Sequence, residues 1–361
     1  MNLLMFVGGL ALLVIGANVL VRGASRLALS FGISPLVVGL TIVAFGTSAP
    51  EVAVSVGAVF DGKADLAIGN VVGSNIFNVL FILGISALIA PLVVNIQLIR
   101  QEVPIMLGAS LLLLALGLDG RLSMADGGLL FALLGAYTVF LVVQSRRETQ
   151  AAKDEFAAEV QPGPAGAWDS HWAAQLGLIA VGLAALVFGS DFLVQASVNF
   201  AKAMGVSDLV IGLTIVAAGT SMPEVATSIA AALKGERDIA VGNVVGSNTF
   251  NILGCLGLSG LVSGDMGLQM APSLLAFDIW VMLAVALACL PVFVTGREIA
   301  RWEGGVFLGY YVAYVTYLIL AAQQHDALQA FSGVMLGFVV PLTVVTLVVV
   351  MIRRPVAAGE A

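Results

Sequence analysis

Two glutamates, Glu51 and Glu224, sit near the middle of long apolar runs, in the matched segments TIVAFGTSAPE and TIVAAGTSMPE. In a bilayer an ionised side chain at such a position costs at least about 2.5 to 3.5 kcal/mol, so something must offset its charge. An ion pair is the ordinary solution, but neither segment holds a basic residue before Lys63 and Lys234 at its far end. The same costly residue recurs in the same context, which leaves a bound cation as the partner. Each Glu follows a proline, Pro50 or Pro223, which lacks an N–H and clashes with the carbonyl four residues earlier, at Gly46 or Gly219. The helix is expected to kink or break there. Broken helix in lipid is tolerated where it lines a cavity or is buried in protein, and freed carbonyls can then serve as ligands.

Thr47 and Ser48 precede the break and Glu51 lies one turn after Thr47, so hydroxyls and a carboxylate share neighbouring surface. Thr220, Ser221 and Glu224 repeat the set. A lone membrane Thr or Ser usually bonds back to its own helix, and duplication argues for more than that. A second matched block, GNVVGSNIFN and GNVVGSNTFN, adds Ser74 and Asn78 at i, i+4 spacing, and Ser247 and Asn251. These could supply two oxygens from each block, or the asparagines could bond across helices. The GNVVG pattern lets helices approach closely. All these donors are oxygens, which suits a hard cation such as calcium with about six to eight oxygen ligands, and no His or Cys cluster competes for a softer metal.

The elements that must position these groups are membrane helices. Of 361 residues, 60% are hydrophobic and 10% charged, and the mean hydropathy is +1.06. Lipid is the solvent for such a chain. Apolar runs predict about eleven spans, at 3–21, 33–60, 65–91, 98–117, 125–144, 173–195, 206–233, 239–263, 271–294, 304–322 and 331–352. The first run has no basic leader or cleavage signature and reads as a retained helix. Only 145–171 is polar at any length, and it reads as a linker. The net charge of −7 argues against a nucleic-acid partner. Cys255 and Cys289 lie in apolar runs as small buried hydrophobes, so neither a disulfide nor a zinc site is expected.

Residues 33–84 align with 206–257 at a constant offset of 173, with 33 of 52 pairs identical and no gap. The chain is a duplicated unit of five helices. With an outside N-terminus, twelve of the 15 Lys and Arg fall on the cytoplasmic side. An odd helix count makes the second unit enter the membrane the other way up. The expected fold is therefore an all-α polytopic membrane protein of two inverted five-helix repeats, a ten-helix core plus an extra C-terminal helix. The divisions are 1–144 for the first repeat, 145–171 for a cytoplasmic linker, 172–322 for the second repeat and 323–361 for the extra helix and a cytoplasmic tail. A prokaryotic inner (cell) membrane is the expected location.

GTSxPE followed by GNVVGSNxFN, present twice, resembles the alpha-repeats of the calcium/cation antiporter superfamily, in its sodium/calcium exchanger branch. The resemblance implies exchange of sodium for calcium by alternating access, without a cofactor and without enzymatic chemistry. Carried over by motif, the cation ligands would be Glu51, Glu224, Thr47, Ser48, Thr220, Ser221, Ser74, Ser247, Asn78 and Asn251, with the carbonyls of Ala44 and Ala217. Several members of that family carry an Asp where this chain has Asn251, so two carboxylates stand here and no third. The linker has no room for the large cytoplasmic calcium-sensing domains of the family.

The implied partners are calcium and sodium ions and the lipid bilayer; no oligomeric state is read from the sequence. A calcium/proton exchanger is the alternative within transporters, although the GNxxE pattern of the proton-coupled branch is missing. A passive cation channel would also need midplane carboxylates, but channels usually gather a pore from several subunits. An intramembrane enzyme is disfavoured, since there is no HExxH and the two histidines, His171 and His325, lie near loops. Asp191 and Asp278 lie close to predicted helix ends, where snorkelling or a polar helix contact accounts for them.

Overall fold

The structure, a computed structural model, describes residues 2–145, 171–205, 211, 214–215 and 217–352. The linker expected over 145–171, apart from its ends, lies outside these residues, as do most of 206–216 and the tail from 353. Helix α1 spans Asn2–Phe31. The second run is two helices, α2 (Pro35–Thr47) and α3 (Ala49–Phe60), bent by 43° at Ser48. There follow α4 (Ala64–Ile89), α5 (Leu98–Leu116) and α6 (Met124–Ser145). The second half opens with α7 (Trp172–Ala203). A three-residue α8 (Ala217–Gly219) and α9 (Met222–Leu233) are broken apart in the same way. Next come α10 (Arg237–Val262), α11 (Leu274–Val294) and α12 (Arg301–Ala322), and α13 (Ala327–Ile352) ends the described chain.

Among the described residues nine helices can cross a bilayer, and the bent pair α2 and α3 makes a tenth. Helices α8 and α9 carry most of what is described of the expected span 206–233. The expected ends of the first and sixth spans are corrected: 3–21 becomes Asn2–Phe31 and 173–195 becomes Trp172–Ala203. Charges such as Arg22 and Arg26 mark where a helix leaves hydrocarbon, not where its hydrogen-bonded ladder stops.

The first helices of the two halves pack together. Gly9, Gly16 and Gly23, seven residues apart, lie on one face of α1. A methyl carbon placed at Gly16 would fall 2.9 Å from the Gly182 carbonyl and 3.0 Å from the Leu186 amide; at Gly9 it would fall 2.8 Å from the Gly189 carbonyl. The numbering rises along α1 as it falls along α7, so the two equivalent helices run antiparallel. Between lipid-facing helices the attraction is close packing rather than exclusion of water, which is why small residues stand at the contact.

Two short antiparallel strand pairs tie the halves at their loops. β1 (Leu92–Val93) pairs with β4 (Glu298–Ile299), and β2 (Arg121–Leu122) with β3 (Leu268–Gln269). Each pair joins a loop before the fourth long helix of one half to a loop before the fifth of the other. Helices α4 and α10 form the centre: most of their residues are buried, whereas α12 buries only Glu303, Gly304 and Phe307 and α13 buries none. The peripheral helices therefore face lipid, and the central pair carries the polar blocks.

Candidate cation site

Both Pro-Glu segments break as the proline requires. Ser48 (φ −83°, ψ 8°) and Ser221 (φ −88°, ψ 8°) hold the same non-helical conformation, and α3 and α9 restart from them with Pro50 and Pro223 in the first turn. Glu51 and Glu224 therefore project from the first turn of a helix, where the N-terminal end of the backbone dipole favours negative charge. Of the two carbonyls expected to lose their amide donors, that of Gly219 accepts the Ser190 hydroxyl at 2.6 Å. That carbonyl is satisfied by the protein. Ala17 occupies the equivalent position in α1 and has no hydroxyl to offer Gly46.

The two glutamates are fully buried. Ser221 Oγ donates to Glu51 Oε1 at 2.8 Å, and Ser48 Oγ donates to Glu224 Oε1 at 2.9 Å. Each carboxylate is thus held by the serine of the opposite half. The other oxygens, Glu51 Oε2 and Glu224 Oε2, are buried and receive no hydrogen bond from the protein. Ser74 Oγ, Ser247 Oγ, Thr220 Oγ1 and Asn78 Oδ1 are in the same condition. A buried carboxylate oxygen left without a donor is costly, and these two, with the three hydroxyls and the amide oxygen from the repeated segments, are all of the hard type that a cation such as calcium takes.

Thr47 Oγ1 lies 3.0 Å from the Val43 carbonyl, 3.3 Å from that of Ala44 and 3.1 Å from Asn243 Oδ1, so its proton has acceptors within the protein. The Ala44 carbonyl also accepts the Ser48 amide at 3.0 Å. Ala217 opens α8, and its side chain lies outside the description. Asn78 and Asn251 each begin a π-helical turn, Asn78–Leu83 and Asn251–Leu256, a distortion frequent where helices carry function.

Four asparagines that the sequence reading left out of the ligand set connect these groups. Asn75 and Asn248 bond each other and the amides of Asn251 and Asn78. Asn70 donates to Ser55 Oγ at 3.1 Å and Asn243 to Ser228 Oγ at 3.0 Å, which ties α4 to α3 and α10 to α9. Their presence in both copies of GNVVGSN was the available signal. Asp278 accepts from Tyr314 Oη at 2.8 Å on the outer helices, and Asp191 accepts from Gln195 on an exposed face of α7. Among the described residues no three of His, Cys, Asp and Glu gather into one group.

A methyl carbon at Gly246 would sit 2.7 Å from Leu40 Cα and 2.7 Å from its carbonyl, so α10 meets α2 at backbone contact. Asn243 is fully buried, and its counterpart Asn70 is half-buried.

The chain is similar to known proteins over most of its length. The family model described as sodium/calcium exchanger protein matches residues 1–143 and 174–320. A putative antiporter, CaxA of Alkalimonas amylolytica, is 39% identical over 323 residues, covering 87% of this chain and 97% of the relative. The sodium/calcium exchanger MaX1 of Methanosarcina acetivorans is 35% identical, covering 88% and 98%. A solved structure of the sodium-calcium exchanger NCX_Mj superimposes with a TM-score of 0.73 at 30% identity, covering 87% of this chain and 97% of that one. With the family model spanning both halves, this chain belongs to the sodium/calcium exchanger protein family.

Proposed function

We propose that this chain is a secondary antiporter that moves calcium out of the cell against sodium entering, by alternating access to one site at the bilayer midplane. The observation that carries the reading is the crossed pair Ser48–Glu224 and Ser221–Glu51, each carboxylate keeping one buried oxygen with no hydrogen bond from the protein. Either ion would be bound by Glu51, Glu224, Thr47, Ser48, Thr220, Ser221, Ser74, Ser247, Asn78 and Asn251, with the Ala44 and Ala217 carbonyls. Two carboxylates balance one calcium or two sodium ions, so the two cargoes compete for the same charge. No covalent step is needed.

The halves lie inverted in the membrane in this reading, which the antiparallel packing of α1 on α7 supports. Residues 1–144 and 172–322 form the two repeats, and the N-terminus lies outside a prokaryotic inner membrane with 145–171 and the C-terminus in the cytoplasm. Inverted repeats supply alternating access when the two halves exchange conformations around a fixed site.

Calcium uptake into proteoliposomes tests the proposal. Vesicles loaded with sodium and diluted into sodium-free calcium buffer should take up calcium, and collapsing the sodium gradient should stop it. Uptake driven by a pH gradient alone would favour calcium/proton exchange, and uptake indifferent to either gradient would sink antiport altogether.

A further inference from the structure

Asn75 and Asn248 hold the same position in the two GNVVGSN blocks, and both are buried. Asn75 Nδ2 donates to the Asn248 backbone carbonyl and Asn248 Nδ2 to the Asn75 backbone carbonyl, each at 3.2 Å. A backbone carbonyl can only accept, so both Nδ2 groups must face inward to this pair and both Oδ1 atoms must face away. The usual ambiguity of an amide's two ends is removed by the chemistry of its partner.

The same logic passes one residue further. Asn75 Oδ1 can only accept, and it faces Asn251 Nδ2 at 3.1 Å; Asn248 Oδ1 faces Asn78 Nδ2 at 2.9 Å. With their nitrogens committed, Asn251 and Asn78 turn their oxygens to the other side. Asn78 Oδ1 is buried and takes no hydrogen bond from the protein, and Asn251 Oδ1 meets the Cys255 thiol at 3.7 Å.

We propose that Asn75 and Asn248 are positioning residues for the cation site, a crossed amide clasp that holds Asn78 and Asn251 with their oxygens toward the cation and their NH2 groups away from it. An unclasped amide could rotate and present its positive end to the ion. Control crosses between the halves: Asn75 of the first block sets Asn251 of the second, and Asn248 sets Asn78. The clasp rests on the exchanger reading, since it orients ligands of that site.

A double-mutant cycle on the purified full-length protein tests it, reading calcium affinity from the calcium-dependent shift in thermal unfolding. Asn75→Leu removes the contact to Asn251 but leaves the Asn75 carbonyl that anchors Asn248, so the second arm of the clasp stays in place. It should weaken calcium binding by roughly threefold to tenfold, the scale of one net hydrogen bond. That loss should disappear in an Asn251→Ala background and persist in an Asn78→Ala background. The smaller Asn75→Ala serves in the same cycle if the leucine does not fold. An equal loss in both backgrounds would overturn the clasp and leave Asn75 a packing residue. A wild-type protein whose unfolding responds to neither calcium nor sodium would overturn the exchanger reading and the clasp together.

Discussion

Ser48, at the break between α2 and α3, donates its hydroxyl to Glu224 Oε1 of the other half at 2.9 Å. The bond takes one carboxylate oxygen, and the second, Oε2, is buried with no hydrogen bond from the protein. Its reciprocal, Ser221 to Glu51, does the same from the opposite direction. Each half therefore orients a carboxylate of the other.

Glu51→Gln and Glu224→Gln keep the volume and the acceptor for the facing serine but remove the charge. Sodium-driven calcium uptake should fall by at least about tenfold in each, the loss expected for a charged ligand. The thermal midpoint should hold or rise, because a buried charge has been removed. Scintillation counting of radioactive calcium in vesicles, beside an unfolding scan in detergent, separates the two effects. Full uptake in both variants would place the cation elsewhere.

Ser48→Ala and Ser221→Ala should act as milder, matched copies of the carboxylate changes. Each loses a hydrogen bond to a charged group, of order 1.5–3 kcal/mol, which corresponds to roughly tenfold to a hundredfold in affinity. Because the bonds are reciprocal, the two variants should weaken calcium by similar factors. The calcium concentration giving half-maximal uptake measures this; a large effect in one and none in the other would contradict the crossed geometry.

Gly246→Ala puts a methyl carbon 2.7 Å from the backbone of Leu40 and should cost about 1–3 kcal/mol of stability. An unfolding scan measures it, and a thermal midpoint equal to that of the wild type would contradict the backbone contact of α10 on α2.

Removal of α13 by a stop after Ala322 should leave exchange near the wild-type rate. None of its residues is buried, and the Tyr310 hydroxyl ties it to α12, donating to Thr343 Oγ1 at 2.6 Å and to the Val339 carbonyl at 3.4 Å. The family match also ends at residue 320. Loss of uptake in a truncated protein that still unfolds cooperatively would give this helix a part in transport.

Much of this was readable before any coordinates. Pro50 and Pro223 announce the breaks at Ser48 and Ser221 because a missing N–H acts locally, and the duplication is visible because 33 aligned pairs are identical. The pairing across halves was not readable. A motif states which groups each copy carries, while the crossing of Ser48 to Glu224, or of Asn75 to Asn251, depends on how α3, α4, α9 and α10 meet in three dimensions. Two further polar contacts stayed hidden for the same reason. Glu102, fully buried at the start of α5, accepts from Tyr137 Oη of α6 at 2.7 Å. Ser190 caps a carbonyl that a proline on another helix has freed.

The crossed serines bear also on how the protein is made. Glu51 waits for a hydroxyl 170 residues further along the chain. At roughly 5–20 residues added per second, that is an interval of about 10 to 30 seconds. Through that time α3 has left the ribosome carrying an acid whose partner is not yet synthesised. A nascent first half must keep Glu51 near water or protonated, held short of its final depth, until α9 arrives. Completion of the proposed site is then a late event, and a chain stalled before Ser221 should be a target for membrane quality control.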